Sequence, residues 1–302
     1  MPARPHALVL VLLVPLVLPA AMVPPPAPPD VAAAAPAAGV VVDEVTDAYL
    51  AAAAAGDLDA LVTLWRANRN AVLITIDADL EQSLSLHEAS EAPDEAAVAA
   101  LHARALFGAR AATEATGHPI FLDYATAFTS WNAEQRRQFR EGQGAIRRAS
   151  AAAKAGDLAA AEQAARQCIE LAEPLGDWWG TAMGHTALGR AQLGQDEAGA
   201  ALVSLARARM IHHDLGLDGP EYGNLLGLID VCEALGAQAR GREAFRAAIA
   251  LGRALGDDDG VAQLERRLAA LGDAPSGSAP PVDAPPADAP AEEPPADSGG
   301  AR

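Results

Sequence analysis

The residues best suited to metal chemistry are a pair of histidines and a run of aspartates. His212 and His213 precede Asp214 and could be taken for a metal cluster. Neighbouring side chains on a helix point in different directions, however, so the two imidazoles are not expected to converge. Residues 257–260 (Asp-Asp-Asp-Gly) resemble a calcium loop but lack its alternating ligand spacing and its distal glutamate. We interpret them as a solvated helix N-terminus and predict no metal site.

The other histidines and both cysteines lack the neighbours that catalysis requires. His87 and His102 do not form the His-x-x-x-His spacing of a zinc helix, and His118 lies in a turn before a proline. No histidine is placed to activate Cys168 or Cys232, so we expect two buried free thiols. A phosphate-binding glycine loop and a serine-centred nucleophile elbow are also missing from the sequence. These features predict a protein that is not an enzyme and that uses no cofactor.

One catalytic alternative stays open in residues 85–140, where no repeat is evident. The polar side chains that could serve an active site there are His102, Arg104, Glu114, His118 and Asp123. They would have to converge on one pocket in the folded chain, because an active site needs its groups in mutual reach.

The chain is strongly acidic. Its 302 residues contain 40 aspartates and glutamates but only 22 lysines and arginines, which gives a formal net charge of −18. Binding to a phosphate backbone requires clustered lysine and arginine, so this balance argues against a nucleic-acid partner. The length suits one or two domains.

The N-terminal segment predicts export. Residues 1–22 begin with Met1 and Arg4 as a short positive start, followed by an apolar run from Ala7 to Leu18, as in a signal peptide. The run is short for a membrane span, which needs ~20 apolar residues, but an uncleaved N-terminal anchor stays open as an alternative. We therefore expect an exported protein of the periplasm or cell envelope, which contacts a membrane only if this segment is retained.

Composition separates a folded part from two flanking segments. Residues 23–41 are a Pro/Ala-rich linker. Residues 273–302 are rich in Pro, Ala and Asp and contain almost no large apolar side chain, so we expect this acidic tail to be disordered. Residues 42–144 are predicted to be a helical region that could include degenerate repeats. A β-branched cluster keeps a strand open as an alternative to a helix over residues 71–88.

Capping residues predict two helices in this region. Asp94 precedes an apolar pattern that runs to Thr116, and Gly117 follows it as a stop signal. Asn132 with Gln135 three residues later forms a capping box for the next helix, which should run towards Ala155.

Turn markers recur with a period of about 40 residues in the C-terminal half. Leu-Gly pairs stand at 175–176, 215–216 and 255–256, and a second series of glycines stands at 156, 194 and 236. Two turn markers in one period indicate two helices per repeat, each repeat stacked on the next. The sequence therefore predicts an all-α fold, an α-solenoid of antiparallel helix pairs.

Small and apolar residues recur in phase with the second glycine series. Five residues after each glycine lie Ala161, Gly199 and Gly241, which would let two helices approach closely. Nine and twelve residues after it lie the pairs that should fill the space between repeats: Ala165 and Cys168, Val203 and Ala206, Phe245 and Ala248.

This pattern resembles the tetratricopeptide repeat, in its longer bacterial variant of about 40 residues. The resemblance is carried by Gly156-Asp157-Leu158 with Ala161, by Leu188-Gly189 with Gly194, and by Leu235-Gly236 with Phe245 and Ala248. It places three repeats and a terminal helix in residues 145–272 and implies a scaffold that binds another protein. Arg190 and Thr186 depart from it, because the family packs apolar residues there.

The resemblance implies that the first helices of the repeats line a groove. The predicted groove residues are Ile146, Ser150, Lys154, Thr181, His185, Leu188, Gln192, Leu226, Asp230 and Glu233. Positions where some family members carry cations for a carboxylate clamp hold Ile146, Ser150, Gly223 and Gly227. We therefore expect a helix or an extended peptide of another protein in the groove. The alternative to a binding scaffold is a structural spacer, held at the membrane by an uncleaved N-terminus.

Overall fold

The computed structural model describes residues 39–271, with side chains from residue 44 onward. The predicted signal peptide at 1–22, most of the 23–41 linker and the 273–302 tail lie outside these residues. Within them the chain forms twelve α-helices, two 3₁₀ turns at Arg69–Ala71 and Glu173–Leu175, and no strand. The helices are α1 (Gly39–Ala55), α2 (Leu58–Ala67), α3 (Val72–Ala89), α4 (Glu95–Thr116), α5 (Ile120–Thr129), α6 (Ala133–Lys154), α7 (Leu158–Ala172), α8 (Trp178–Gly194), α9 (Ala198–Asp214), α10 (Asp218–Ala234), α11 (Gln238–Leu255) and α12 (Asp258–Ala270).

Local signals set the helix ends as expected. Asp94 caps α4 through the backbone N–H groups of residues 96 and 97, and Gly117 ends it in the left-handed conformation. At the start of α6, Asn132 and Gln135 form the reciprocal capping box, with bonds of 2.9 and 3.0 Å. The strand alternative for residues 71–88 is wrong, because α3 is a continuous helix there.

From α6 to α12 each helix packs against the next, which confirms the predicted α-solenoid. The first helices of the repeats are α6, α8 and α10, and their second helices are α7, α9 and α11; α12 is the terminal helix. The first repeat begins at Ala133 and not at residue 145, since the capping box sets the start of α6 upstream of the predicted boundary.

Left-handed residues reverse the chain at intervals of 20 residues. Glycines have positive φ at positions 156, 176, 216, 236 and 256, and Asp196 (φ 61°) occupies the remaining place in the series. The predicted marker Gly194 is instead the last residue of α8. Aspartate tolerates this conformation better than most residues with a Cβ. The sequence analysis therefore placed this turn two residues too early, because it used glycine as the turn marker.

This shift changes which residues of α9 face the core. Counted from Asp196, the positions five, nine and twelve residues later are Ala201, Leu205 and Ala208, all of which are 0% exposed. The predicted Gly199, Val203 and Ala206 are exposed, Val203 by 71%. The prediction for α9 was wrong in register. In α7 and α11 the predicted residues are buried, since Gly156 and Gly236 do mark the turns.

Two glycines let α8 pack closely between its neighbours. A Cβ on Gly184 would lie 2.7 Å from Ile169 of α7, and one on Gly189 would lie 2.6 Å from Leu205 of α9. Only glycine fits at either position without displacing the adjoining side chain. Leu205 is fully buried against this surface, where such a side chain contributes about 2 kcal/mol through burial.

Helices α1 to α5 form a separate bundle centred on α4, which packs against α2, α3 and α5. The Gly56-Asp57 turn matches the Gly156-Asp157 turn in detail: glycine is left-handed and aspartate caps the next helix through the N–H three residues later. The arrangement after α2 nevertheless departs from a regular stack, because α4 rather than α3 is the main partner of α2.

The core of the bundle continues into the repeats at the turns between them. It includes Leu175, Ile211 and Leu215 together with bundle residues such as Trp131. The indole Nε1–H of Trp131 donates to the Leu175 carbonyl at 3.1 Å, and Arg69 donates to the His213 carbonyl at 2.5 Å. The bundle therefore fixes the edge of the solenoid at which the Leu-Gly turns lie.

Replacing two matched glycines should change stability in opposite directions. A Cβ added to Gly156 or to Gly199 would meet only open space, but Gly156 alone of the two is left-handed. Gly156→Ala should lower the free energy of unfolding by about 1 kcal/mol through backbone strain. Gly199→Ala should raise it by up to about 1 kcal/mol, because alanine favours a helix. Urea denaturation measures both; equal effects would contradict the assigned turn geometry.

Candidate binding groove on the first helices

The second halves of the first helices present two aligned columns of side chains. Ten residues before the left-handed positions 156, 196 and 236 lie Ile146, Thr186 and Leu226. Six residues before them lie Ser150, Arg190 and Asp230. All six are exposed or half-buried. We call these two columns the groove.

The predicted groove residues divide between this surface and the interior. Ile146, Ser150, Lys154, Leu226, Asp230 and Glu233 are exposed or half-buried, as a binding surface requires, and His185 is half-buried. Thr181, Leu188 and Gln192 are 0%, 5% and 4% exposed, so they cannot contact a bound segment directly. Leu188 and Gln192 lie six and two residues before Gly194, as Ser150 and Lys154 lie before Gly156. A strict 40-residue spacing from Ile146 and Ser150 identifies Thr186 and Arg190 instead.

A buried polar chain crosses from α8 to α10 and α9. Thr186 Oγ1 lies 2.9 Å from the Ala182 carbonyl oxygen and 3.0 Å from Asn224 Oδ1, so two acceptors share its one hydroxyl proton. Asn224 Nδ2 lies 2.8 Å from His212 Nδ1, and both residues are 0% exposed. A second buried bond, from Ser204 to Gln192 (2.8 Å), links α9 to α8 and accounts for the burial of Gln192.

His212 stays neutral near pH 7. Burial and, to a lesser extent, the nearby charge of Arg190 lower its pKa to about 4. Its Nε2 is buried and has no hydrogen-bond partner within residues 39–271. The polar chain therefore ends at a buried ring nitrogen.

Arg190 is a half-buried cation beside this chain. Its Nη2 lies 3.2 Å from the place where a Cβ of Gly223 would be, so its guanidinium rests against the backbone of α10. Burial lowers its pKa, and no carboxylate of the described part of the chain contributes to that pKa. Burial without a counter-charge is unfavourable for a cation.

The next acid along the same column is already paired. Asp230, six residues before Gly236, accepts a bond from Arg267 of α12 at 2.7 Å, and the same Nη2 bonds Glu233 at 2.8 Å. The Arg267 guanidinium also lies 5.4 Å from the ring centre of Phe245. These contacts hold α12 against α10.

The bundle covers the first halves of the first helices. Arg140 of α6 bonds Glu81 at 2.8 Å and Glu88 at 2.7 Å, both on α3. On α8, Trp178 and Trp179 are half-buried against the bundle core. Both tryptophans are therefore packing residues. The groove is left to the second halves of the helices.

Two carboxyl groups meet at the junction between the bundle and the repeats. Asp77 of α3 accepts a bond from Tyr124 of α5 at 2.5 Å. Asp177, 6% exposed, caps α8 through the N–H of Gly180 at 2.8 Å. Burial, reinforced by Glu81 and for Asp177 by the charge of Asp77, raises the pKa of Asp77 to about 6 and that of Asp177 to about 7.

The five polar residues considered for an active site have separate surroundings. Glu114 and Asp123 are exposed, whereas the other three bond different side chains: His102 contacts Ser83 (2.9 Å), Arg104 contacts Asp79 (2.8 Å) and His118 contacts Asp214 (3.7 Å). The fold does not bring the five together into one pocket.

The residues considered for metal and thiol chemistry are engaged structurally. Both cysteines are free and buried, as predicted, and burial raises the pKa of Cys168 to about 12. His212 bonds Asn224, whereas the His213 Nδ1 lies 3.0 Å from Glu221. Asp257 caps α12 through the Gly260 N–H at 3.0 Å, which confirms a helix N-terminus. Within residues 39–271 no cluster of three His, Cys, Asp or Glu side chains could hold a metal ion.

No protein-family model matches the chain, and no curated protein matches it. Among the described helices, none is long and apolar enough to cross a membrane. Conclusions about function therefore depend on the geometry of the groove.

The acid pair at the junction should make stability depend on pH. Both carboxyls have raised pKa values, so they bind protons more tightly in the folded chain than in the unfolded chain. The contribution of these two carboxyl groups to the free energy of unfolding is complete below a pH of about 4. It is lost as the pH rises through about 6 and about 7, where the groups ionise in the folded chain. The free energy of unfolding should fall by about 1 kcal/mol or more between pH 5 and 8.

Asp77→Asn isolates this effect, because amide substitution removes the titration and keeps the shape. The charged neighbours Glu81 and Arg140, and the phenol of Tyr124, are unchanged in the variant. Its stability should therefore decline less from pH 5 to pH 8 than that of the original chain. Urea denaturation at both pH values measures the difference, and parallel curves would show that the acid pair does not titrate as described.

Proposed function

We propose that this chain is a non-enzymatic scaffold that binds a helix or an extended peptide of another protein in the groove. The single observation that supports this most strongly is the alignment of equivalent positions on three successive first helices. Neighbouring helices pack about 8–10 Å apart, so a segment that crosses them meets one member of each column per step. Such regular, partly exposed positions are typical of surfaces on which solenoids bind polypeptides.

The chemistry of the columns favours an amphipathic helix or peptide as the bound segment, which we call the guest. One column is apolar at both ends, with Ile146 and Leu226 on either side of Thr186. The other column is polar throughout and runs from Ser150 through Arg190 to Asp230. A guest with an apolar stripe beside a polar one would satisfy both, as helices and extended peptides in grooves commonly do. The excess of 18 negative charges argues against nucleic acid as the alternative ligand.

We also propose that this scaffold lies outside the cytoplasm, in the periplasm or attached to the cell envelope. The support is the positive start and apolar run of residues 1–22, followed by the Pro/Ala-rich linker. A structural spacer is the second candidate function, and it depends on an N-terminus that is retained as an anchor.

A blocking substitution in the groove should abolish peptide binding. Peptides selected from a random displayed library against the full chain would be measured by fluorescence anisotropy. Ser150→Trp places a bulky ring in the polar column. The control Ser85→Trp places the same ring on α3, outside the groove, and Ser85 is exposed to solvent as Ser150 is. Ser150→Trp should weaken binding at least ~10-fold, about 1.4 kcal/mol, and Ser85→Trp should leave it unchanged. Failure to select any peptide, or equal losses in both variants, would refute the groove as the binding surface.

Mass spectrometry of the mature protein decides between scaffold and anchored spacer. The expected N-terminus lies beyond residue 20, because signal peptidase removes the apolar run after export. An intact chain that starts at Met1 and fractionates with membranes would instead support the spacer.

A further inference from the structure

We infer that two copies of this chain associate through the exposed face of α9, which packs antiparallel to α9 of the second copy. The face is formed by Gly199, Val203, Ala206 and Met210, which we call the outer strip. The strip lies on a second helix of the repeats, whereas the groove lies on the first helices. This inference therefore does not depend on the proposed function.

The outer strip is a continuous apolar row on the surface. Its residues follow one another at intervals of four, three and four, which return to the same side of an α-helix. All four are exposed, and Val203 (71%) and Met210 (53%) are the two most exposed large apolar residues within the described part of the chain. Burying such a row against another surface removes it from water, which favours association.

The equivalent rows of α7 and α11 are largely polar, although they belong to the same kind of helix. Counted from the left-handed positions 156 and 236, the rows are Ala159, Gln163, Arg166 and Glu170 in α7, and Ala239, Glu243, Arg246 and Ala250 in α11. All eight residues are exposed. The repeat itself therefore does not require an apolar row at these positions, and α9 differs from its two neighbours in a way that suits a partner surface.

A cleft of about 570 Å³ opens at the N-terminal end of the outer strip. It lies between the end of α8, the start of α9 and the end of α10, and its lining includes Leu193, Asp196, Glu197, Gly199, Ala200 and Leu235. Gly199 belongs to both the cleft and the strip. Leu235 is 46% exposed. The cleft therefore offers an apolar side chain of a partner a place beside the strip.

The strip and the cleft complement each other when two copies of α9 run antiparallel. With Met210 of one copy opposite Gly199 of the other, each methionine meets the cleft of the opposite copy, and Val203 lies opposite Ala206. The unbranched methionine side chain adapts to irregular spaces. The small residues Gly199 and Ala206 let the two helices approach closely. Each contact occurs twice, as the two-fold symmetry of a dimer requires.

The charges beside the strip favour the antiparallel pair over a parallel one. Asp196 and Glu197 are exposed at the start of α9, and Arg207 is exposed in its second half. A parallel pair would bring the acids of both copies together. An antiparallel pair separates them and turns each acidic start towards the half that carries Arg207, so opposite charges set the register. Asp214, the acid at the end of α9, already lies 3.7 Å from His118.

Sedimentation equilibrium of the full chain measures this association. The average mass should rise with concentration from that of one chain towards that of two. Val203→Glu should weaken the dimer at least ~10-fold, because it places a charge in the apolar contact. The equivalent residue of α11 is Glu243, so glutamate is compatible with the fold at this position. The control Gln263→Glu adds the same charge to an exposed position of α12 and should leave the dimer unchanged.

Disulfide cross-linking tests the register. A mixture of Gly199→Cys and Met210→Cys chains should form a linked dimer on oxidation, since the antiparallel pair brings these two positions together. Either variant alone should cross-link far less, and the original chain should not cross-link, because Cys168 and Cys232 are buried.

Three results would overturn the inference. A chain that stays monomeric at every concentration would assign the outer strip to a different partner. A dimer of equal strength in Val203→Glu and in the original chain would place the contact elsewhere, for example in the apolar run of residues 7–18. Equal cross-linking of a single variant and of the mixture would exclude the antiparallel register.

Discussion

The structure depends on the reversal of the chain by a left-handed residue at every twentieth position of the repeats. Equal spacing gives α8 to α11 nearly equal lengths of 17 or 18 residues, and all three first helices end two residues before a left-handed position. Equivalent residues then align across the stack, and the columns that form the groove exist only because of this regularity. A shift of one reversal would rotate the following helix and move core residues to the surface, since the faces of a helix repeat every 3.6 residues.

Close packing around α8 adds the second constraint. Gly184 and Gly189 bring α7 and α9 close to this helix, which also packs against α6 and α10. Thr186 and Arg190 lie half-buried on its remaining surface. Thr186 is satisfied by the buried asparagine and histidine beyond it, but the cation is not. Polar groups in the middle of a tightly packed stack cost stability unless they are hydrogen-bonded.

The N-terminal bundle covers the first halves of α6 and α8. Its core reaches across the Leu-Gly turns, and α3 covers the first half of α6 through Arg140. The same junction carries Asp77 and Asp177, whose raised pKa values make the attachment of the bundle weaker when both are ionised. The groove and this junction therefore lie on different halves of the first helices.

The sequence by itself determined the helices, the two-helix period and the solenoid, because capping boxes, glycine stops and small-residue spacing act locally. It also determined that both thiols are buried. It did not determine the register of α9, since Asp196 adopts a conformation that glycine signals more clearly. Only the tertiary structure decided which groove residues face solvent, that Arg267 pairs with Asp230, and that the charge of Asp77 acts on Asp177. These features depend on contacts between residues that are far apart in the sequence, and no local sequence pattern predicts such contacts.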